Sequence, residues 1–236
     1  MSLTSTKHGS RSTQAGPVRI TFYFIRHGFS RSNCVKRHKR LGLITHPFIR
    51  DTPLTTWAIE HMPVHESPDV DILCCSSLLR AIQTSILLYQ GQKMVHVLPY
   101  LKERPSISPE NQPRSMQKQL EHFKPLAQSK IDYRYLLQEE DDASSPSKFI
   151  KWMSSHIPLL LHRHHLLSTK KRHIRIGIVT HKNWIKALTK LVIVKNIGQV
   201  RVPATWSHEK GLVLSLDQAS VVYEGIAEPK KDEKAC

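Results

Sequence analysis

A strongly apolar run of the chain, residues 18–25, ends abruptly in Arg26, His27 and Gly28. Such a run predicts a strand buried on both faces, and in an open α/β sheet ligands bind at the carboxyl ends of the strands. An arginine offers a planar fork of N–H donors to phosphate oxygens, and a neutral imidazole can attack phosphorus. Gly28 would let a ligand approach the backbone, and Ser30 could cap a following helix. The alternative is an arginine and a histidine in an ordinary surface turn.

Two further apolar runs are followed by the same kinds of residue. Arg80 lies one helical turn beyond the run 70–75, and His181 directly follows the run 176–180. If these strands are parallel, their carboxyl ends lie along one edge of the sheet. Two arginines and two histidines would then converge on a space suited to a phosphoryl group.

The composition indicates one folded domain with an anionic partner. The chain has 236 residues, of which 39% are hydrophobic, and no apolar run approaches the ~18 residues needed to span a bilayer. Lys and Arg outnumber Asp and Glu by 35 to 19, giving a net charge of +16. This balance attracts anions but does not choose between phosphorylated metabolites, nucleic acid and acidic membranes.

The four cysteines favour a reducing compartment. They form no Cys-x-x-Cys pair, and Cys74 and Cys75 fall inside a strand-like run, where neighbours point to opposite faces and pack rather than pair. We therefore expect a cytoplasmic protein, with the nucleus as the alternative.

Strands alternate with helices along the chain, which predicts an α/β fold. The predicted class is a three-layer αβα sandwich with a mostly parallel central sheet. The predicted strands are residues 18–25, 70–75, 94–98, 174–180, 212–216 and 221–226, and the predicted helices are residues 30–40, 78–89, 147–165 and 184–194. The helix predicted over residues 147–165 should bend at Pro158, and Trp152, Trp184 and Leu188 should lie in the core.

The domain organisation follows from composition shifts. We expect residues 1–17 and 229–236 to be flexible tails on a single domain, residues 18–228. Within it, residues 99–147 carry six prolines and an acidic block, and so predict a loop-rich insertion that acts as a lid or specificity element. Asp51, in a Thr-Pro-containing turn, should order its own turn through Asx hydrogen bonding.

Four segments, in the right order along the chain, resemble motifs of one family. They are Arg26-His27-Gly28 with Ser30 and Asn33, the turn Asp51-Thr-Pro-Leu-Thr55, the helix start Ser77-Leu-Leu-Arg80-Ala-Ile-Gln-Thr84 and the strand end Val179-Thr180-His181. Together they resemble the histidine phosphatase superfamily, with its phosphoglycerate mutase-like fold. The similarity extends from about Ile20 to Leu188. Lys182 follows His181 where the acid-phosphatase branch has an aspartate, so the chain resembles the cytosolic branch.

The resemblance implies a phosphoric monoester hydrolase that works in two steps. His27 would attack phosphorus and become phosphohistidine, which water then hydrolyses, and Glu103 would protonate the leaving oxygen. The phosphoryl oxygens would be held by Arg26, Asn33, Arg80 and His181, so that neither a metal nor another cofactor is expected. The substrate would be a phosphorylated metabolite or a phosphoprotein.

Some residues depart from the family pattern, and other functions stay open. Ala58 replaces a usual glycine, and Lys182 stands where small residues usually follow the second histidine, so Lys182 could reach into the pocket. One alternative is a mutase that returns the phosphoryl group to a rotated substrate. Another is a catalytically weak or inactive phosphoanion-binding or scaffold protein.

The segment from Arg31 to Arg50 holds six Lys or Arg residues and no Asp or Glu. We expect its cations to lie at the rim of the pocket and to select a multiply charged substrate; they are Lys36, Arg37, Lys39 and Arg40. Alternatively, the run serves only solubility or a nuclear address. Nucleic acid is the less favoured partner because no aromatic residues interleave with the charges. The histidines near His164 are expected to form a solvated basic surface rather than a metal site. The sequence makes no prediction of oligomeric state.

Overall fold

The first apolar run forms β1 (Val18–Arg26), an interior strand of the sheet. In this computed structural model, which describes residues 16–37, 50–139, 143–166, 173–193 and 195–229, β1 pairs in parallel with β5 (His173–Thr180) and antiparallel with β6 (Gln199–Ser207). Phe22 and Phe24 are fully buried, as expected for a strand covered on both faces.

The remaining strands complete a mixed sheet. They are β2 (Ile72–Ser76), β3 (Val95–Leu98), β4 (Ile131–Asp132), β7 (Gly211–Leu214) and β8 (Ser220–Tyr223). The strand order is β4-β3-β2-β5-β1-β6-β7, and β8 also pairs with β6. The five strands from β4 to β1 are mutually parallel, whereas β6, β7 and β8 run antiparallel to their neighbours. The predicted α/β class with a mostly parallel sheet is confirmed.

Helices cover both faces of the sheet. They are α1 (Arg31–Arg37), α2 (Thr56–Glu60), α3 (Leu79–Leu88), α4 (Met116–Leu120), α5 (Pro125–Gln128), α6 (Arg134–Leu137), α7 (Pro146–Arg163) and α8 (Lys182–Thr189). One core contains Phe22 and Cys74 with side chains of α7 and α8, and a second core contains Cys75 with side chains of α3. Neighbouring strand residues thus enter different cores, as their alternation requires.

Both Cys74 and Cys75 are free and fully buried, which confirms that they pack rather than pair. Cys34 is disulfide-bonded, and neither free cysteine is its partner. Trp152, Trp184 and Leu188 are buried in the core, as predicted.

The C-terminal third differs from the sequence-based prediction. The strand β6 was not predicted, because Pro203 interrupts an otherwise alternating run and prolines are uncommon in central strands. Pro203 is accommodated opposite Thr21 of β1, and its carbonyl accepts the Ser215 amide at 2.9 Å. The helix predicted over residues 184–194 ends earlier, at Thr189, because Lys190 adopts a left-handed φ of 65°.

Helix α7 runs through Pro158. A proline has no N–H to offer the carbonyl four residues earlier, which is that of Ser154. Trp206 of β6 supplies the missing donor, since its indole Nε1 donates to the Ser154 oxygen at 2.9 Å. The Ser154 hydroxyl in turn accepts the Leu212 amide of β7 at 2.8 Å. The helix position weakened by proline is therefore where the β6–β7 hairpin attaches.

A buried polar chain joins β3, β4 and the end of α7. The Nδ1 atom of His96 lies 3.0 Å from Asp132, and its Nε2 atom lies 2.8 Å from Nε2 of His164. The Asp132 carboxylate also accepts hydrogen bonds from Arg134 at 2.8 and 2.9 Å, and these bonds help to lower the pKa of Asp132 to about 2. His164 is therefore part of a partly buried network, not of the solvated surface that its sequence neighbourhood suggested.

Within the described residues, no helix combines the length and apolarity needed to cross a membrane. The same residues contain no group of three or more His, Cys, Asp or Glu side chains arranged to hold a metal ion.

Candidate active site

The carboxyl ends of β1, β2 and β5 lie side by side. Arg26 pairs with Thr180 across β1 and β5, and Cys75 pairs with Val179 across β2 and β5. The residues that follow these pairs must then emerge at one edge of the sheet. The rings of His27 and His181 accordingly lie 5.0 Å apart, between their centroids.

Hydrogen bonds fix the tautomer of His27. Its Nδ1 atom lies 2.6 Å from the carbonyl oxygen of Gly28. Because a carbonyl only accepts, Nδ1 carries the proton and Nε2 holds a lone pair. Arg80 Nε donates to that lone pair at 3.2 Å. The ring is therefore neutral, with its nucleophilic nitrogen directed at the guanidinium that the sequence predicted for phosphate binding.

Arg80 lies in the first turn of α3 and is buried. Besides the bond to His27, its Nη1 donates to the Glu110 carbonyl and its Nη2 to Asn111 Oδ1, both at 2.8 Å. Burial lowers the pKa of Arg80, and Glu103 is the largest opposing charge. Glu110 and Asn111 were not predicted, because they lie in a 3₁₀ turn of the proline-rich segment, where no motif or periodicity marks them.

His181 is fully buried at the N-cap of α8. Its Nε2 atom lies 2.9 Å from the Ser76 hydroxyl, which itself accepts the Leu78 amide at 3.4 Å. Burial, and then the charges of Arg80, His27 and Arg26, hold the pKa of His181 well below 6.5, so the ring stays neutral. If the Ser76 O–H donates to Nε2, the proton of the ring lies on Nδ1, a buried atom without a hydrogen-bond partner.

Ser76 thus lies in the site, although it was not among the predicted site residues. Leu78 is the N-cap of α3, and the hydrogen bond from its backbone amide to the Ser76 hydroxyl is long. The signal available in the sequence was position, since Ser76 is the last residue of a strand that ends beside His181.

Glu103 lies close to the two buried arginines. Its Oε1 atom accepts the Arg104 amide at 2.8 Å, and its charge opposes the fall that burial causes in the pKa of both Arg26 and Arg80. The side chain is 9% exposed, so it borders the buried group and still reaches solvent.

The loop carrying His27 is tied to two other segments. Thr84 Oγ1 accepts the Gly28 amide at 2.9 Å, and Asn196 Nδ2 donates to the His27 carbonyl at 2.8 Å. Ile197, next to Asn196, has a φ of 63°, an uncommon conformation for a β-branched residue. A Cβ atom on Gly28 would lie 3.2 Å from the Leu54 side chain, a tight contact. These bonds fix the backbone on which the His27 ring is mounted.

The prediction that Asp51 orders its own turn is wrong. Its Oδ1 atom accepts the Leu79 amide at 2.7 Å, and its Oδ2 atom accepts the Arg114 amide and the Gln119 side chain at 2.9 and 2.7 Å. Asp51 is fully buried, and its two oxygens accept these three hydrogen bonds from distant segments. If Asp51 bonded only within its own turn, those three donors would have no acceptor. The residue joins the start of α3 to the proline-rich segment.

The remaining predicted site residues are less closely defined. Asn33 Oδ1 accepts the Ser30 amide and hydroxyl at 2.9 and 2.8 Å, so its phosphate contact stays a prediction. Lys182 opens α8 directly after His181. The last turn of α1 contains Lys36 and Arg37, whose side chains lie outside the described part of the structure, as do Lys39 and Arg40 entirely.

No protein-family model matches this chain, and no curated protein matches it by sequence. Solved structures do share its fold. The ecdysone phosphate phosphatase of Bombyx mori, in complex with tungstate, aligns with a TM-score of 0.53 and 12% identity over 90% of this chain and 96% of its own. A phosphoserine phosphatase of Entamoeba histolytica aligns at 0.41 with 22% identity over 86% and 96%. A phosphoglycerate mutase of Bacillus anthracis aligns at 0.45 with 14% identity over 84% and 92%.

Proposed function

We propose that this chain, whose fold is that of the histidine phosphatases, hydrolyses phosphate monoesters through a phosphohistidine on His27. The observation that carries the proposal is the buried His27 Nε2 lone pair, which faces Arg80 and lies beside a second neutral histidine. A nucleophile with a fixed tautomer and fixed donors around it is what phosphoryl transfer requires of a protein.

In the first step, His27 Nε2 forms a bond to phosphorus while the bond from phosphorus to the ester oxygen breaks. Negative charge on the equatorial oxygens would be stabilised by Arg26, Arg80 and the Nδ1–H group of His181. The His181 donor needs no reorganisation, because it is buried and has no protein partner to leave. Arg80 would exchange its bond to Nε2 for bonds to the phosphoryl group.

Glu103 acts in this step in its protonated form and gives its proton to the departing oxygen. In the second step the resulting carboxylate accepts a proton from water as that water attacks phosphorus. Inorganic phosphate leaves, and both His27 and Glu103 return to their starting states. The stabilising charge in this scheme comes from arginines, so we expect turnover to survive chelation of divalent metals.

The decisive experiment is to trap the phosphoenzyme. The protein should acquire acid-labile, alkali-stable phosphate from a labelled monoester, and His27→Ala should abolish both the label and turnover. His65→Ala is the matched control, because His65 is an exposed histidine and lies in another segment. Unchanged turnover in His27→Ala would refute the proposal.

The role of Glu103 has a separate test. Glu103→Gln should slow alkyl phosphates much more than activated aryl phosphates, because an acidic phenol leaves without needing a proton. Equal losses for the two substrate types would show that another group is the acid.

A further inference from the structure

We infer that a cavity lined by Arg50, Arg114, Ser115 and Lys118 is a second anion-binding site, which takes the second anionic group of the substrate. That the anion belongs to a substrate rests on the proposed function, whereas anion binding itself rests on the cavity alone. The substrate class is a phosphate monoester that carries a further phosphate or carboxylate group.

The cavity has a volume of about 440 Å³, and of the four lining residues that the structure describes, three are cations. The fourth, Ser115, has a hydroxyl that accepts the Lys118 amide at 3.4 Å and can still donate its own proton to a ligand. Guanidinium and ammonium groups with a hydroxyl are the donors by which proteins hold phosphate and carboxylate groups.

The two guanidinium groups are held in position by backbone carbonyls. Arg50 donates from Nε and Nη2 to the Pro113 carbonyl at 3.2 and 2.8 Å. Arg114 donates from Nε to the Arg50 carbonyl at 3.3 Å. Each arginine thus donates hydrogen bonds to the backbone of the segment that carries the other arginine, and each retains terminal N–H donors for a ligand. Such pre-organisation lowers the entropy cost of binding.

No carboxylate in the described part of the chain neutralises this cluster. Among the described residues, no salt bridge involves Arg50, Arg114 or Lys118, whereas Arg134 and Arg175 both pair with aspartates. Cations that share a cavity repel one another, and an anion between them relieves that repulsion. The arrangement therefore favours an anionic ligand over an empty, merely solvated surface.

The cavity is built on the same segments as the candidate active site. Asp51, next to Arg50, accepts the amide of Leu79 beside Arg80, and its other oxygen accepts the Arg114 amide. Three residues before Arg114, Asn111 accepts a bond from the Arg80 guanidinium. The two places therefore share these segments, and an anion bound in the cavity would stabilise the segment that holds Arg80; that one ligand spans both is the inference that the length series below tests.

The kinetic test compares substrates that differ only in the second anion. Alkanediol bisphosphates of increasing chain length would each be compared with the corresponding monophosphate, and ω-phosphooxy carboxylic acids would distinguish carboxylate from phosphate. We expect the unaltered protein to prefer one length of bisphosphate over its monophosphate by about tenfold or more in kcat/KM. The combined variant Arg50→Gln, Arg114→Gln, Lys118→Gln should lose this preference through KM and keep the monophosphate rate.

The matched control is Lys186→Gln, Arg201→Gln, Lys210→Gln. These residues are exposed cations on other elements, and the variant changes the net charge by the same amount. It should retain the preference for the bisphosphate. An equal loss of preference in both triple variants would assign the effect to overall charge and overturn the inference, as would an unchanged preference in the cavity variant.

A binding test needs no turnover. Inorganic phosphate titrated into the His27→Ala protein should shift the amide NMR signals of Arg114, Ser115 and Lys118, and the cavity variant should abolish the shift at Ser115. If no ester is hydrolysed but these shifts occur, the proposed function fails and the anion site stands. If turnover occurs but the signals do not move, the anion site is refuted and the proposed function stands.

Discussion

Replacing Ser76 by alanine should slow catalysis without removing any group that touches the substrate. The Ser76 hydroxyl lies 2.9 Å from His181 Nε2, and both residues are fully buried. In our interpretation this hydroxyl donates to Nε2 and so keeps the imidazole proton on Nδ1, where it can reach a phosphoryl oxygen. In the alanine variant the hydroxyl is missing, and the buried Nε2 lone pair of His181 has no hydrogen-bond donor.

The magnitude follows from the cost of that loss. A buried acceptor left unsatisfied costs about 1–3 kcal/mol, and the ring can avoid this cost by moving its proton to Nε2 or by rotating. Either response removes the Nδ1–H donor from the transition state. At about 1.4 kcal/mol per tenfold in rate, we expect kcat to fall by about 5- to 150-fold. KM should change little, because the donor matters most where charge develops.

Two measurements would check this reasoning: kcat on an aryl phosphate, and ¹⁵N NMR of the His181 imidazole. Ser85→Ala is the matched control, since Ser85 is also fully buried and its hydroxyl donates at 2.9 Å to a carbonyl within α3. That variant should lose some stability and keep its kcat. The reasoning is refuted if the proton of His181 in the unaltered protein lies on Nε2, or if both serine variants have the same kcat.

Of three other predictions, two concern the stability of the fold and one concerns the hydrogen bond that positions the Arg80 guanidinium. Burial, followed by the charge of a neighbouring histidine, lowers the pKa of His96 to about 4. The unfolded chain, with a pKa near 6.5, therefore binds this proton first as the pH falls. Stability should decline between pH 6.5 and 4 by up to about 3 kcal/mol through this group, and urea unfolding of His96→Gln should show a weaker decline. Trp206→Phe should cost about 1–3 kcal/mol in urea unfolding with kcat unchanged, because the Ser154 carbonyl loses its donor. Asn111→Ala should reduce kcat/KM by about tenfold or more, because Arg80 loses a charge-assisted bond of 2.8 Å; an unchanged value would show that Arg80 needs no such support.

Segments whose local pattern and tertiary environment agree could be predicted from the sequence. The continuous apolar runs ending at Arg26 and Thr180 became buried parallel strands, and the helical spacing after Ser77 became α3. The strand β6 could not be predicted in this way. Pro203 has no N–H, so it fits an interior strand only at a position where no N–H has to donate to the neighbouring strand. Only the register of the pairing with β1 decides that position.

The sequence by itself determined which residues could carry the chemistry and that His27, Arg80 and His181 would meet, because the ends of parallel strands meet at one edge of a sheet. The tertiary structure decided what each of them can do. The Gly28 carbonyl sets the tautomer of His27, Ser76 reaches His181 from another strand, and the turn at Asn111 holds Arg80. Apart from the Gly28 carbonyl, these partners lie 31 and 105 residues away along the chain. A hydrogen bond across such a separation depends on packing that no local pattern records, and so the electrostatics of the site emerged only with the fold.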